Sequence, residues 1–95
     1  MNCSLGQLVR SLAGRDKGKH YLVIGLTEER VLVADGRHRL VKKPKLKNRR
    51  HLQCYKRISK IIEQQLKQGQ KLTDTVLRQE LQYLLQEEAS GKEDC

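Results

Sequence analysis

The residues best suited to bind a ligand in this sequence are cations set between glycines. Four cationic or potentially cationic groups fall close together: Arg15, Lys17, Lys19 and His20. Gly14 and Gly18 frame them, and glycine permits the positive backbone angles of a tight turn and exposes amide hydrogens to an approaching phosphate. The spacing predicts a phosphate-contacting loop, although a strand connection that is merely basic has the same pattern. Asp16, the one acid here, is expected to cap the turn or to hold Arg15.

A second basic segment follows, with no acid between positions 37 and 50. Its cations are Arg37, Arg39, Lys42, Lys43, Lys45, Lys47, Arg49 and Arg50. Such a run is usually a solvated surface loop, and a nuclear-localisation patch also fits residues 42–50 by composition. Here it lies between predicted strands, so a bound polyanion relieves its self-repulsion. We therefore predict nucleic-acid contact, with Pro44 keeping the loop extended.

The sequence contains few residues in patterns typical of catalytic or metal-binding sites. His20, His38, His51 and Cys54 are the candidate ligands or nucleophiles, and the pair His51 and Cys54 supplies two ligands where a zinc site needs three or four. The three cysteines are scattered without a CxxC pair, which indicates free thiols in a cytosolic protein. We predict a protein without enzymatic activity, metal, cofactor or small-molecule substrate.

The charge is distributed unevenly along the chain. Residues 1–60 hold 16 lysines and arginines against 4 acids, and residues 61–95 hold 4 against 7, within a net charge of +9. A basic front half indicates a polyanionic partner. With no Trp, no Phe and three Tyr, the chain has few rings on which single-stranded bases could stack. Structured RNA, recognised by phosphate geometry, is the partner that fits best.

Strand patterns occupy the first half of the chain. Apolar residues predict strands over 7–12, 20–27, 30–34 and 39–41, with a turn at Asp35 and Gly36. Residues 42–50 are predicted to be a solvated loop, and Leu52 and Cys54 to begin a short closing strand. Consecutive apolar positions such as 22–24 predict strands covered on both faces.

Helical periodicity begins near Arg57 and continues to about residue 89. The first apolar stripe contains Ile58, Ile61, Ile62 and Leu66, and the second contains Leu77, Leu81, Leu84 and Leu85. Gly69 is expected to end the first helix and Thr73 to cap the second. The stripes either cover one side of the sheet or form a docking face, with Glu80, Glu87 and Glu88 steering towards a basic ribosomal protein.

Two segments resemble a known family. AGRDKGKHYLVIG followed by the hairpin VLVADGRHRLV is similar to the KOW motif of ribosomal and transcription-associated proteins. KKPKLKNRRHLQ and the helical tail extend the resemblance to KOW RNA-binding proteins related to large-subunit ribosomal proteins. By this resemblance residues 14–19 are the KOW loop.

The resemblance implies a mainly β fold with α: a small SH3-like five-stranded barrel over 1–56, followed by a C-terminal pair of amphipathic helices over 57–89 and a flexible tail over 90–95. It implies a non-enzymatic protein that binds ribosomal or similarly structured RNA, in or on the cytoplasmic ribosome. A transcription-associated adaptor that binds a protein is the alternative. Neither an 18-residue apolar stretch nor a signal-peptide core is present, so no membrane partner is expected.

Overall fold

The computed structural model describes residues 3–90, with side chains described as far as residue 87. Five strands come first: β1 (Gln7–Ser11), β2 (His20–Leu26), β3 (Arg30–Ala34), β4 (Lys45–Asn48) and β5 (Leu52–Ile58), with a 3-10 turn at Arg49–His51 before β5. Two helices follow: α1 (Lys60–Lys67) and α2 (Asp74–Ser90). The predicted mixture of strands followed by a helix pair is confirmed. No helix within the described range is long and apolar enough to cross a membrane.

All five strands form one antiparallel sheet in the order β4-β3-β2-β1-β5. Val9 pairs with Tyr21 across β1 and β2, and Leu32 pairs with Leu46 across β3 and β4. The predicted number of strands is therefore confirmed. Among the described residues, β4 and β5 are the two edges and do not pair with each other, so the sheet is not closed and the closed barrel is not confirmed.

Each face of the sheet is covered. On one face Leu8, Leu22 and Ala34 pack with apolar residues of both helices, including Ile62 and Leu77. On the other face the buried residues pack against one another, and they are Cys3, Val9, Tyr21, Val23, Val31, Val33 and Leu52. Neighbouring positions 22 and 23 thus point into different clusters, which explains the unbroken apolar run.

Two strand predictions are wrong. Residues 39–41 are not a strand, because the Asp35 Oδ1 accepts hydrogen bonds from the amides of Arg37, His38 and Arg39 at 2.8–2.9 Å and holds the chain in a turn. The predicted loop 42–50 contains β4, which is hydrogen-bonded to β3. The loop prediction rests on the lack of an apolar face in a segment with one proline, one asparagine and a single leucine. The strand forms nevertheless, and one carboxylate compensates the charges of two of its lysines, as described below.

The helix boundaries follow from their caps. β5 continues to Ile58, and the Ser59 Oγ accepts the amide of Ile62 at 3.1 Å, so α1 begins at Lys60, later than the periodicity suggested. Gly69 has φ +72° directly after α1, and the Thr73 Oγ1 accepts the amide of Val76 at 3.3 Å, so both predicted caps are confirmed.

Most residues of the helical stripes belong to the core, although Ile61 is exposed and Ile58 lies on β5. Two of the three acids proposed for docking have partners within the protein. Ser59 donates to Glu80 at 2.7 Å, and Arg57 lies 3.6 Å from Glu87. The side chain of Glu88 lies outside the described residues. Of the predicted flexible tail, Ser90 is the last residue of α2 and 91–95 lie outside the described range.

Candidate nucleic-acid interface

The topology of the sheet places two basic loops at the same end of its strands. β1 and β3 run in the same direction, and each is followed by an antiparallel neighbour, so the β1–β2 loop (12–19) and the β3–β4 loop (35–44) leave the sheet at the same end. The β2–β3 turn lies at the opposite end. The order of the strands therefore brings together two segments that the sequence identified separately.

Seven exposed cations belong to these two loops, and we call them the cationic edge. They are Arg15, Lys17, Lys19, Arg37, Arg39, Lys42 and Lys43. The loops contain two acids, Asp16 and Asp35, and both are buried. The edge thus presents its positive charges to solvent and keeps its negative charges inside the fold.

Asp16 is the centre of a buried polar network beneath the β1–β2 loop. Its Oδ1 accepts a hydrogen bond from the Ser11 hydroxyl at 2.8 Å, and its Oδ2 accepts one from the Tyr21 hydroxyl at 2.9 Å. The Lys45 Nζ lies 3.1 Å from Oδ2 and the Lys47 Nζ lies 3.2 Å from Oδ1. One carboxylate therefore ties the β1–β2 loop to β4.

This network decides the ionisation of its members. Burial by itself raises the pKa of the Asp16 carboxyl, but hydrogen bonds from Ser11, Lys45, Tyr21 and Lys47 more than offset burial, so the pKa lies well below its usual range. Burial raises the pKa of Tyr21, and the hydrogen bond to Asp16 raises it further. Asp16 is consequently a carboxylate, and Tyr21 a hydroxyl donor, throughout the neutral pH range.

Lys45 and Lys47, two of the predicted contacts, have partners inside the fold. The side chain of Lys47 is 8% exposed, and its Nζ also donates to the Ala13 carbonyl at 3.1 Å. Lys45 is 26% exposed and paired with the same carboxylate. Because their ammonium groups are engaged inside the fold, we assign both to positioning the loop rather than to contact with a ligand.

In the second half of the β1–β2 loop the backbone amides are engaged within the fold. Gly14 and Gly18 have φ of +88° and +91°, as a tight turn requires. However, the amides of Lys17, Gly18 and Lys19 donate to carbonyls within the loop and its flanking strand at 2.8–3.2 Å. The expectation that these amides are exposed to a phosphate is wrong, because the turn itself uses them.

The β3–β4 loop is fixed to helix α2. Asp74 accepts the amide of Val41 at 2.8 Å, and the Nη1 of Arg78 donates to the Gly36 carbonyl at 2.8 Å. A Cβ on Gly36 would lie 2.6 Å from the Asp74 carbonyl oxygen, so glycine is required for this approach. The sequence did not single out Asp74 as a loop anchor or Arg78 as a contact, because both lie in the acidic half of the chain, far from the loop in sequence.

Arg49 and Arg50 lie away from the cationic edge, whereas His20 directly follows Lys19 at the start of β2. Arg49 donates to the Thr27 carbonyl at 2.9 Å, and Arg49 and Arg50 line a groove with Glu28 and Glu29. His20 stacks on Tyr55 with ring centroids 5.7 Å apart. The basic run from 37 to 50 is thus divided: its first four cations belong to the edge, the next two to the Asp16 network and the last two to the 3-10 turn.

In the described part of the chain, the three candidate histidines do not form a metal centre with Cys3 or Cys54. Within residues 3–90, no group of three or more His, Cys, Asp or Glu side chains is close enough to hold a metal ion. Cys3 and Cys54 are free thiols. Burial, and then the contact with Cys3, raises the pKa of Cys54 to about 12, which makes it a poor nucleophile. Cys95 lies outside the described residues.

Comparison of the sequence with family models and curated proteins identifies no related protein. The resemblance to KOW proteins therefore depends on the residues of the loop and hairpin themselves.

Proposed function

We propose that this protein is a non-enzymatic RNA-binding protein whose cationic edge contacts the phosphates of a structured RNA, and that this RNA is ribosomal. One observation carries the proposal: the two loops at this edge expose seven cations and bury both of their acids. A surface built in this way attracts a dense array of phosphates more strongly than its net charge suggests.

The proposal extends to the finer features implied by the KOW resemblance. The sheet has the strand number of an SH3-like barrel, and the 3-10 turn leads directly from β4 to β5. The loop at residues 14–19 has the tight glycine turns of the KOW signature. We place the protein at or on the ribosome in the cytoplasm, as a ribosomal or ribosome-associated protein acting in translation.

The salt dependence of binding to a fully paired RNA hairpin tests the proposal. If all seven edge cations meet phosphates, log K should fall with log salt with a slope of about −6 by the duplex rule, so affinity drops roughly 10³ to 10⁴-fold between 50 and 200 mM salt. Replacing Lys17 and Lys42 by Gln should reduce the steepness of that slope by about 2. A flat salt dependence contradicts the proposal.

A matched control separates the edge from the overall charge. Lys56 and Lys60 are exposed, like Lys17 and Lys42, but they lie on β5 and α1 rather than in the two loops. Replacing this pair by Gln changes the net charge by the same amount and should leave the slope unchanged. Equal effects of the two double variants would mean that the positive charge acts without a defined surface.

Sedimentation of the tagged protein from a cell extract tests the ribosomal assignment. We expect the protein to move with ribosomal subunits at low salt and to leave them at high salt, because ionic contacts dominate. The double variant at Lys17 and Lys42 should dissociate at lower salt than the wild type. Migration with free protein under all conditions contradicts the ribosomal assignment but not RNA binding.

A protein-interaction adaptor is the second candidate, and one observation favours it. Ile61 and Tyr83 are 50% and 55% exposed and line a shared groove with Ile58 and Leu84. Cross-linking in cells separates the candidates. Adducts of ribosomal RNA at Lys17 support RNA binding, whereas copurification with RNA polymerase that is lost in Ile61→Lys, without an RNA adduct, supports the adaptor.

A further inference from the structure

A groove adjoins the cationic edge on the side of helix α2. It has a volume of about 290 Å³. The lining residues are Asp35, Arg37, Arg78, Leu81, Gln82 and Leu85. The four that belong to α2 recur at helical spacing, so one face of the helix forms a wall. The facing wall is the β3–β4 loop, which carries Arg37 of the cationic edge.

The groove combines an apolar wall with charged ends. Leu81 and Leu85 supply the apolar surface, and Gln82 supplies an amide with both donors and an acceptor. Arg78 is held in place by its bond to the Gly36 carbonyl. Asp35 adds a carboxylate that repels a phosphate. A ligand's phosphate therefore belongs beside Arg37, and its neutral part belongs against the leucines.

We infer that this groove receives one unpaired nucleobase of an RNA whose phosphates lie on the cationic edge. The inference rests on the proposed function and specifies its substrate as a paired RNA with a bulged nucleotide. Proteins recognise RNA mostly at bulges and loops, where bases can leave the stack. A base offers apolar faces to Leu81 and Leu85 and a hydrogen-bonding edge to Gln82, and its own phosphate then reaches Arg37.

Two RNA hairpins that differ by one unpaired nucleotide test the inference. The bulged hairpin carries 2-aminopurine at the unpaired position. A base bound by a protein ring contributes about 1–3 kcal/mol, or roughly 5- to 150-fold. Because leucines rather than rings line this groove, we expect the lower part of that range, about tenfold tighter binding of the bulged hairpin. The fluorescence of 2-aminopurine should rise as the base leaves the stack.

Gln82→Glu and Gln86→Glu form a matched pair of variants. Both positions are exposed on α2, and only Gln82 lines the groove. A second carboxylate near Asp35 should reduce the ratio of the two affinities to about one in Gln82→Glu and abolish the fluorescence rise. Gln86→Glu should keep both. The added negative charge weakens binding of both hairpins equally, so the ratio of their affinities reports binding in the groove alone. Thermal melting of each variant checks that it is folded.

The outcomes distinguish this inference from the proposed function. Equal, salt-sensitive binding of both hairpins by the wild type overturns the groove and leaves the cationic edge intact. A preference for the bulge that survives Gln82→Glu, or that Gln86→Glu removes, also overturns the groove. Absence of binding to either hairpin overturns the proposed function and, with it, this inference.

Discussion

Replacing Asp16 by Asn removes one negative charge from the buried network and changes little else in shape. The Lys47 ammonium, on a side chain that is 8% exposed, then loses its countercharge and keeps the Ala13 carbonyl as an acceptor. Lys45, at 26% exposed, can turn towards water. The variant therefore leaves one buried cation unpaired, and this uncompensated charge dominates the expected loss of stability.

The magnitude follows from the burial of Lys47. Removing one partner of a buried ion pair destabilises a protein by about 3–5 kcal/mol, whereas an exposed pair contributes about 0–1 kcal/mol. We expect Asp16→Asn to lose about 3 kcal/mol or more of a total that is typically about 5–15 kcal/mol. At about 4–8 °C per kcal/mol for a domain of this size, the melting temperature should fall by at least about 12 °C.

Urea unfolding monitored by circular dichroism measures the loss, and two further variants show its cause. Lys47→Met added to Asp16→Asn should recover most of the stability, because it removes the buried ammonium that Asp16→Asn leaves without a countercharge. Glu28→Gln, which removes an exposed acid, should change stability by less than about 0.5 kcal/mol. If Asp16→Asn unfolds at the wild-type midpoint, or if Lys47→Met fails to restore it, the argument for a buried pair is refuted.

The same variant predicts a pH dependence. The pKa of Asp16 is lowered in the folded protein from an ordinary value of 3.8, so its contribution is fully present above pH 3.8 and is lost as the pH falls towards the folded value. The difference in unfolding free energy between wild type and Asp16→Asn should be constant above about pH 5 and should shrink in more acidic buffer. A difference that grows on acidification contradicts this sign.

Three more predictions concern the loops and the thiols. Lys17→Glu with Lys19→Glu should weaken RNA binding with little loss of stability, because both side chains are exposed; calorimetry and a binding titration check the two parts. Gly36→Ala should destabilise more than Gly18→Ala in urea, since both have positive φ but only the Cβ at position 36 meets atoms of α2 within 3 Å. Cys54, with a pKa raised to about 12, should react with iodoacetamide at pH 8 at least about a hundredfold more slowly in the folded than in the unfolded protein, as mass spectrometry of its peptide would show.

Much of the fold is predictable from local pattern. Alternating or continuous apolar runs give β1, β2 and β3 nearly to the residue, and Gly69 and Thr73 give the ends of the helices. These features depend on neighbours in sequence, which periodicity reads directly. β4 could not be predicted in this way, because its pairing depends on a carboxylate some thirty positions earlier, as the contact between Asp16 and Lys47 shows.

In the candidate site, too, local features are predictable from the sequence and tertiary contacts are not. The cations of residues 15–19 and 37–43 are exposed, as composition predicts, because nothing nearby neutralises them. Tertiary contacts determine which lysines are engaged inside the fold. They also bring Arg78 of α2 to the Gly36 carbonyl of the β3–β4 loop. Charge counting identifies a basic region but cannot separate a cation that faces solvent from one that supports the fold.

The helices share a core with the sheet and also hold the β3–β4 loop, and this has a consequence for folding during synthesis. All five strands leave the translating ribosome before α2, so Leu8, Leu22 and Ala34 lack their cover at that stage. Asp74 and Arg78, which fix the loop, belong to α2 and therefore also emerge after every strand. A nascent chain therefore orders the β3–β4 loop only after α2 has emerged, and a chain terminated before α2 lacks this support.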